Sequence, residues 1–222
     1  MHLYQIIILY LMNLTPLVVI VAARAAAKSF IIAIFACAKC VLYPGTKIVI
    51  ASATKGQANL IVSEKIKKEL IPNSPNLARE IKEIKTGLNQ TEVIFWNNSS
   101  IIVVAASDNA RGFRANIIIY EEFRMIKLDV IQTVLSPFLI PRQVPYINKN
   151  PDWVKKYPYL KEEPIEIYIS SAYFASHWMS ETIKMAVKDM FNKSEAVFLA
   201  FDYAITLKLF EPSHSNMCRI RV

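Results

Sequence analysis

Apolar positions along this chain fall into short unbroken runs and longer, spaced stripes. The short runs are Leu17–Ala22 (LVVIVA), Lys47–Ala53 (KIVIASA), Ile117–Tyr120 (IIIY), Pro164–Ser171 (PIEIYISS) and Val197–Tyr203. Continuous Val/Ile runs of this length predict strands buried on both faces. The spaced segments predict helices over 2–13, Lys28–Leu42, Thr54–Ile71, Leu128–Leu135 and Ser176–Asn192. In Thr54–Ile71 the stripe is Leu60, Ile61, Ile66 and Leu70, opposite Lys65, Lys67, Lys68 and Glu69. Pro72–Pro75 breaks that helix, and Leu77–Ile84 is expected to form a further short one. Thr91–Ala106 reads as a hairpin, with VIFW and IIVVA around Asn97-Asn98-Ser99, because Asn tolerates the positive φ of such turns. Ser107–Asn116 is a polar, basic loop, and Pro137–Pro164 is a proline-rich excursion.

Strands alternating with helices predict an α/β fold, a mostly parallel sheet covered by helices on both faces. Ligands of such sheets bind at the carboxyl ends of the strands. Three polar clusters fall there: ARAAAKS after LVVIVA, Glu121-Glu122 after IIIY, and Ser170-Ser171-Ala172 after EIYI.

The first cluster has the layout of a P-loop: strand, turn, then Lys-Ser opening a helix. Loop N–H groups and a helix N-terminus offer positive charge to phosphates. Lys28 would reach the outer phosphates, and the Ser29 hydroxyl would serve Mg2+. The glycine positions of G-x-x-x-x-G-K-[ST] are Ala22 and Ala27. The second cluster, IIIYEE, has the form of a Walker B motif: Glu121 for the metal and Glu122 to orient or deprotonate the attacking water. A strand running into a solvated acidic pair is the plain alternative. Arg24, Arg111 and Arg114 are candidates for contact with phosphate, of a nucleotide or of DNA. Gln5 carries an amide that can pair with an adenine edge.

The net charge of +8 favours a polyanionic partner or a membrane surface. Only 4 glycines occur, against about 15 at average usage, so the alanine P-loop belongs to a chain-wide depletion as readily as to a local loss. The apolar runs near the N-terminus are interrupted by Asn13, Thr15, Pro16, Arg24 and Lys28, and neither is a clean membrane span. Cys37 and Cys40 sit one helical turn apart in an apolar run and read as buried thiols. His2, His177 and His214 show no metal-ligand spacing.

Taken in order, these pieces resemble the ATPase half of a phage terminase large subunit, the motor that packages viral DNA. The matching pieces are Gln5, AARAAAKSF (22–30), YPGTKIVIASATKGQA (43–58), FWNNSSIIVVAASDNARGFRANIIIYEEFRMI (95–126) and EIYISSA (166–172). RGFRAN directly ahead of an acidic-pair strand is the most specific of them. The resemblance implies a RecA/helicase-like P-loop NTPase over 1–180, with 181–222 as a linker or lid and the nuclease domain of that family missing. It implies ATP and Mg2+, with nucleotide held by Gln5, Ala25, Ala26, Ala27, Lys28 and Ser29, and metal by Ser29 and Glu121. Glu122 and Arg24 would be catalytic, and Ser170, Ser171 and Ala172 would couple the γ-phosphate to movement. The implied partners are double-stranded DNA, a portal protein and a small terminase subunit, in a homo-oligomeric ring, off the membrane, in the host cytoplasm. A degenerate, non-hydrolysing P-loop subunit is the alternative that the two alanines raise.

Overall fold

The computed structural model describes residues 1–24, 26–87, 90–107, 110, 112–142, 151–156, 163–172, 177–192 and 195–202. Eight strands form one sheet in the order β3-β4-β5-β2-β6-β7-β1-β8. The strands are β1 (Leu17–Ala22), β2 (Lys47–Ser52), β3 (Ile81–Thr86), β4 (Gln90–Phe95), β5 (Ser100–Ala105), β6 (Ile117–Glu121), β7 (Ile165–Ser170) and β8 (Ala196–Phe201). From β5 to β8 every pairing is parallel; β4 runs antiparallel to β5, and β3 to β4.

The central strands are apolar on both faces because both are covered. On one side Val18, Ile20, Ile48, Ile50, Ile117, Ile119, Ile167 and Ile169 meet helices α1 (Leu3–Leu14), α2 (Lys28–Leu42) and α3 (Lys55–Leu60). On the other, Val19, Val49, Ala51, Ile118, Tyr120 and Tyr168 meet the helical segment from Leu128 to Phe138 and the helix Trp178–Phe191. Each such side chain contributes roughly 1.5–3 kcal/mol on burial, which makes the four central strands the rigid frame of the site.

Most predicted elements lie where the pattern puts them, α2 to the residue. Asn98 takes the predicted positive φ, +65°, in the turn between β4 and β5. Three expectations change. Leu77–Ile84 is helical only through Pro75–Glu80; Ile81–Thr86 is instead the edge strand β3, paired with β4. Leu60 is 55% exposed. Beyond it α3 runs on through a π-helical stretch, Ile61–Leu70, whose longer i→i+5 register keeps Ile61 and Ile66 inward. The boundary drawn at 180 falls within the helix Trp178–Phe191, and β8 beyond it pairs with β1 in the same sheet. Of the proline-rich excursion, residues 143–150 and 157–162 lie outside the described residues, and Pro151–Lys156 is helical. No described helix is long and apolar enough to cross a membrane.

Candidate active site

β6, β7 and β1 are adjacent and parallel, so their carboxyl ends open side by side. That juxtaposition brings the three polar clusters together. The Ser29 hydroxyl, in the first turn of α2, donates to Glu121 Oε1 at 2.7 Å. The Lys28 amine donates to the carbonyls of Ala22 (3.2 Å) and Ala23 (3.1 Å) and to Ser171 Oγ (3.2 Å), and lies 3.8 Å from Glu122 Oε1. Residues 92 and 94 positions apart in sequence thus meet, Ser29 with Glu121 and Lys28 with Glu122.

Ala27, the residue before the lysine, sits in the left-handed region at φ +53°, ψ +31°. Ala22, at the other glycine position, ends β1 in extended conformation and is buried. Only one of the two substitutions is therefore strained, at roughly 1–2 kcal/mol. We expect Ala27→Gly to raise the thermal midpoint: relief of that strain outweighs the extra unfolded-state entropy of glycine by up to about 1 kcal/mol, or about 2–4 °C in a domain of this size. Thermal unfolding followed by circular dichroism checks it; a lowered midpoint would refute the strain.

Glu122 is also left-handed, at φ +46° and ψ +49°. A non-glycine residue held there is strained, and such strain gathers at functional sites. Donors surround its carboxylate and hold it. Ser171 Oγ reaches Oε1 at 3.0 Å; Ser170 Oγ (3.1 Å), the Ser171 N–H (3.3 Å) and Arg124 Nε (3.0 Å) reach Oε2. Burial pushes the Glu122 carboxyl up, but Arg124, Ser171 and Lys28 together outweigh it and leave it below the usual range. Glu121 goes the other way: burial raises it, and the Ser29 bond only partly offsets this. Burial lowers Lys28 despite both carboxylates.

Arg124 was not legible as a site residue; its only signal is its place two residues after Glu122. We expect Arg124→Ala to move the acidic limb of the pH–kcat profile to higher pH. A base at Glu122 would act ionised, above its pKa; without its guanidinium partner, burial would raise that pKa and the ionised form would be lost sooner as pH falls. A limb that does not move would show that Arg124 leaves Glu122 ionisation alone.

The other predicted residues are placed as follows. Arg24 is exposed in the loop, near enough that its charge helps to lower Lys28. Ala26 is buried, and its carbonyl accepts from the Tyr4 hydroxyl at 3.3 Å, which ties α1 to the loop. Gln5 is buried; its Oε1 accepts the His2 N–H at 2.8 Å and its amide donates to Tyr4 at 3.4 Å, so it braces the start of α1 beside the loop. Ala172 is exposed beyond β7. Arg114 is exposed and precedes β6, at the opposite end of the sheet from Glu121, about 16 Å of strand away. Ala25 and Arg111 lie outside the described residues. Cys37 and Cys40 are buried free thiols, Cys37 pushed up to about 12 by burial. Among the described residues no group of three His, Cys, Asp or Glu could hold a metal. The Ser29 hydroxyl and Glu121 carboxylate are adjacent hard oxygens and suit Mg2+, which keeps several waters and takes few protein ligands.

A mostly parallel sheet with a Lys-Ser loop at one strand end and an acidic pair two strands over defines a P-loop NTPase. The chain matches the family described as terminase large subunit, T4likevirus-type, N-terminal, over residues 19–152, and it belongs to that family. Its fold is similar to a point variant of the large terminase ATPase domain of Thermus phage P74-26, at a TM-score of 0.61 and 15% identity, covering 96% of this chain and 90% of that one. It is similar to the large terminase of bacteriophage HK97, at a TM-score of 0.62 and 19% identity, covering 91% of this chain and 39% of that one. The large terminase of a thermophilic bacteriophage in complex with ATP-gamma-S gives a TM-score of 0.64 at 11% identity, covering 98% and 49%. The chain thus spans half or less of these longer terminases and most of the isolated ATPase domain. No curated protein matches it by sequence.

Proposed function

We propose that this chain is the Mg2+-dependent ATPase module of a DNA-packaging motor, acting on double-stranded viral DNA in the host cytoplasm. The observation that carries it is the meeting of Ser29 with Glu121 at 2.7 Å, with Lys28 and Glu122 alongside, in a chain of the terminase family. Lys28 would exchange its loop carbonyls for the outer phosphate oxygens of ATP. Ser29 and Glu121 would hold Mg2+, which supplies charge neutralisation at the phosphates when bound. Glu122 would accept a proton from water as its oxygen attacks the γ-phosphorus and the bond to the ADP oxygen breaks. Arg24 would meet the charge that spreads over the transferred oxygens. Ser170 and Ser171 hold the carboxylate and Ser171 also accepts from the lysine, so nucleotide that draws Lys28 away would also reset Glu122. A ring of subunits, a portal protein and a small terminase subunit are the partners this reading calls for.

The test is steady-state ATP hydrolysis by the purified chain with Mg2+, with and without duplex DNA. Turnover that Mg2+ supports and duplex DNA modulates is the expected result. Wild-type turnover no higher than that of Lys28→Ala and Glu122→Gln would leave the non-hydrolysing subunit instead.

A further inference from the structure

The end of the sheet farthest from the nucleotide site carries cations and aromatic rings that the chemistry above does not use. Lys47 opens β2 and is exposed. Its N–H donates to Asn116 Oδ1 and its carbonyl accepts the Asn116 N–H, both at 2.8 Å; exposed Arg114 stands two residues before Asn116 at this end of the sheet. On the other side the Gly45 N–H donates to the Asn97 carbonyl at 3.1 Å, joining this loop to the β4–β5 turn. Trp96 in that turn is 64% exposed, and the exposed Lys82 amine lies 5.4 Å from its ring centroid. Between them the Tyr43 ring lies under the Arg142 guanidinium, at 5.2 Å, and Arg142 Nη1 donates to the Pro44 carbonyl at 3.1 Å. Two acids stand at this end: Glu80, whose carbonyl accepts the Trp96 N–H, and exposed Glu163, two residues ahead of Ile165, whose N–H donates to the Asn116 carbonyl.

From β3, which bears Lys82, to β6, which Arg114 precedes, is four strand spacings, or about 19 Å. Duplex DNA presents a phosphate on each strand about every 3.4 Å, so such a track spans about five or six base pairs. Backbone phosphate is the partner that a line of exposed cations fits without reading sequence. We propose that this amino-end face, with Lys47, Lys82 and Arg114 as its phosphate contacts, is the surface on which the chain holds duplex DNA. The inference rests on the motor reading. It adds where the DNA lies: at the opposite end of α2 from Lys28, so that one rigid 15-residue helix runs from the phosphate loop to the DNA face. A helix of that length is about 22 Å long.

The experiment measures binding of the full chain to a random-sequence duplex over a salt series, for wild type, Lys47→Ala/Lys82→Ala/Arg114→Ala, and Lys47→Arg/Lys82→Arg/Arg114→Lys. The alanine variant is expected to lower the slope of log affinity against log salt by about 2–3, while the charge-keeping variant retains it. ATP hydrolysis without DNA should be unchanged in both, since all three residues are exposed and far from the site. A wild-type slope in the alanine variant overturns the face and leaves the motor reading standing. A wild type that does not bind duplex at low salt overturns both. Loss of procapsid binding with duplex binding intact overturns the face in favour of an acidic protein partner. A charge-keeping variant that loses the slope also overturns it, because shape and not charge would then be at stake.

Discussion

Glu122→Gln is expected to lower kcat for ATP hydrolysis by about 100- to 10,000-fold, with folding and nucleotide binding kept. The substitution is nearly isosteric, and the surroundings can take an amide. The groups that meet the carboxylate are a guanidinium, a backbone N–H, an ammonium and two hydroxyls. Placed with its oxygen toward Arg124, Ser170 and the Ser171 N–H, the glutamine directs its NH2 at Ser171 Oγ, which rotates to accept it. The left-handed backbone, the serines and the arginine then stay in place. What is removed is a group able to take a proton from water, so the loss reads the base role and not a collapsed site. Steady-state turnover, with thermal midpoint and binding of a fluorescent ATP analogue as controls, checks it. Turnover within a few-fold of wild type would remove Glu122 from the base role and point to ordering of water by Ser170 and Ser171.

The elements that build this site were legible because their signals are local and redundant. Strands sealed on both faces must be apolar throughout, so LVVIVA, KIVIAS and IIIY announce themselves. Residue types at their ends, Lys-Ser, Glu-Glu and Ser-Ser, then carry the chemistry in an order that few other proteins need. What failed was decided by partners distant in sequence. Ile81-Lys-Glu-Ile84 has helical spacing, and only the unpaired edge of β4 makes it a strand. Leu60 loses its place on the stripe because the register beyond it shifts to i→i+5. Arg114 sits next to the acidic strand in sequence but at its far end in space, since a strand separates its two termini by its whole length. Arg124 gives no sign in the sequence beyond its place two residues after Glu122; its contact appears only when the left-handed turn at Glu122 folds its side chain back onto the carboxylate. The strain at Ala27 is likewise a matter of conformation, and the motif alone flagged Ala22 equally.

Lys28→Ala is expected to lower kcat/KM by about 100- to 1,000-fold, the scale on which one preorganised donor to a developing anion is lost, while moving the thermal midpoint little. The second half follows from the surroundings of the amine. Burial lowers its pKa, so the folded state bears a cost for keeping it charged at neutral pH, a cost that deprotonation above its unfolded pKa would relieve. Alanine removes that cost. It also removes the bonds to the Ala22 and Ala23 carbonyls and to Ser171 Oγ, and a cation 3.8 Å from Glu122. The two changes oppose each other, and stability is a poor reporter of this residue. Rate is a good one, because with phosphate in the loop the ammonium would counter charge that grows toward the transition state. Lys28→Arg is not expected to rescue: a planar fork cannot replace a point charge that serves two carbonyls and a hydroxyl from a buried position. Kinetics of the Ala and Arg variants against wild type checks this, and near-wild-type kcat/KM in either would show that the alanine-rich loop holds phosphate through its backbone alone.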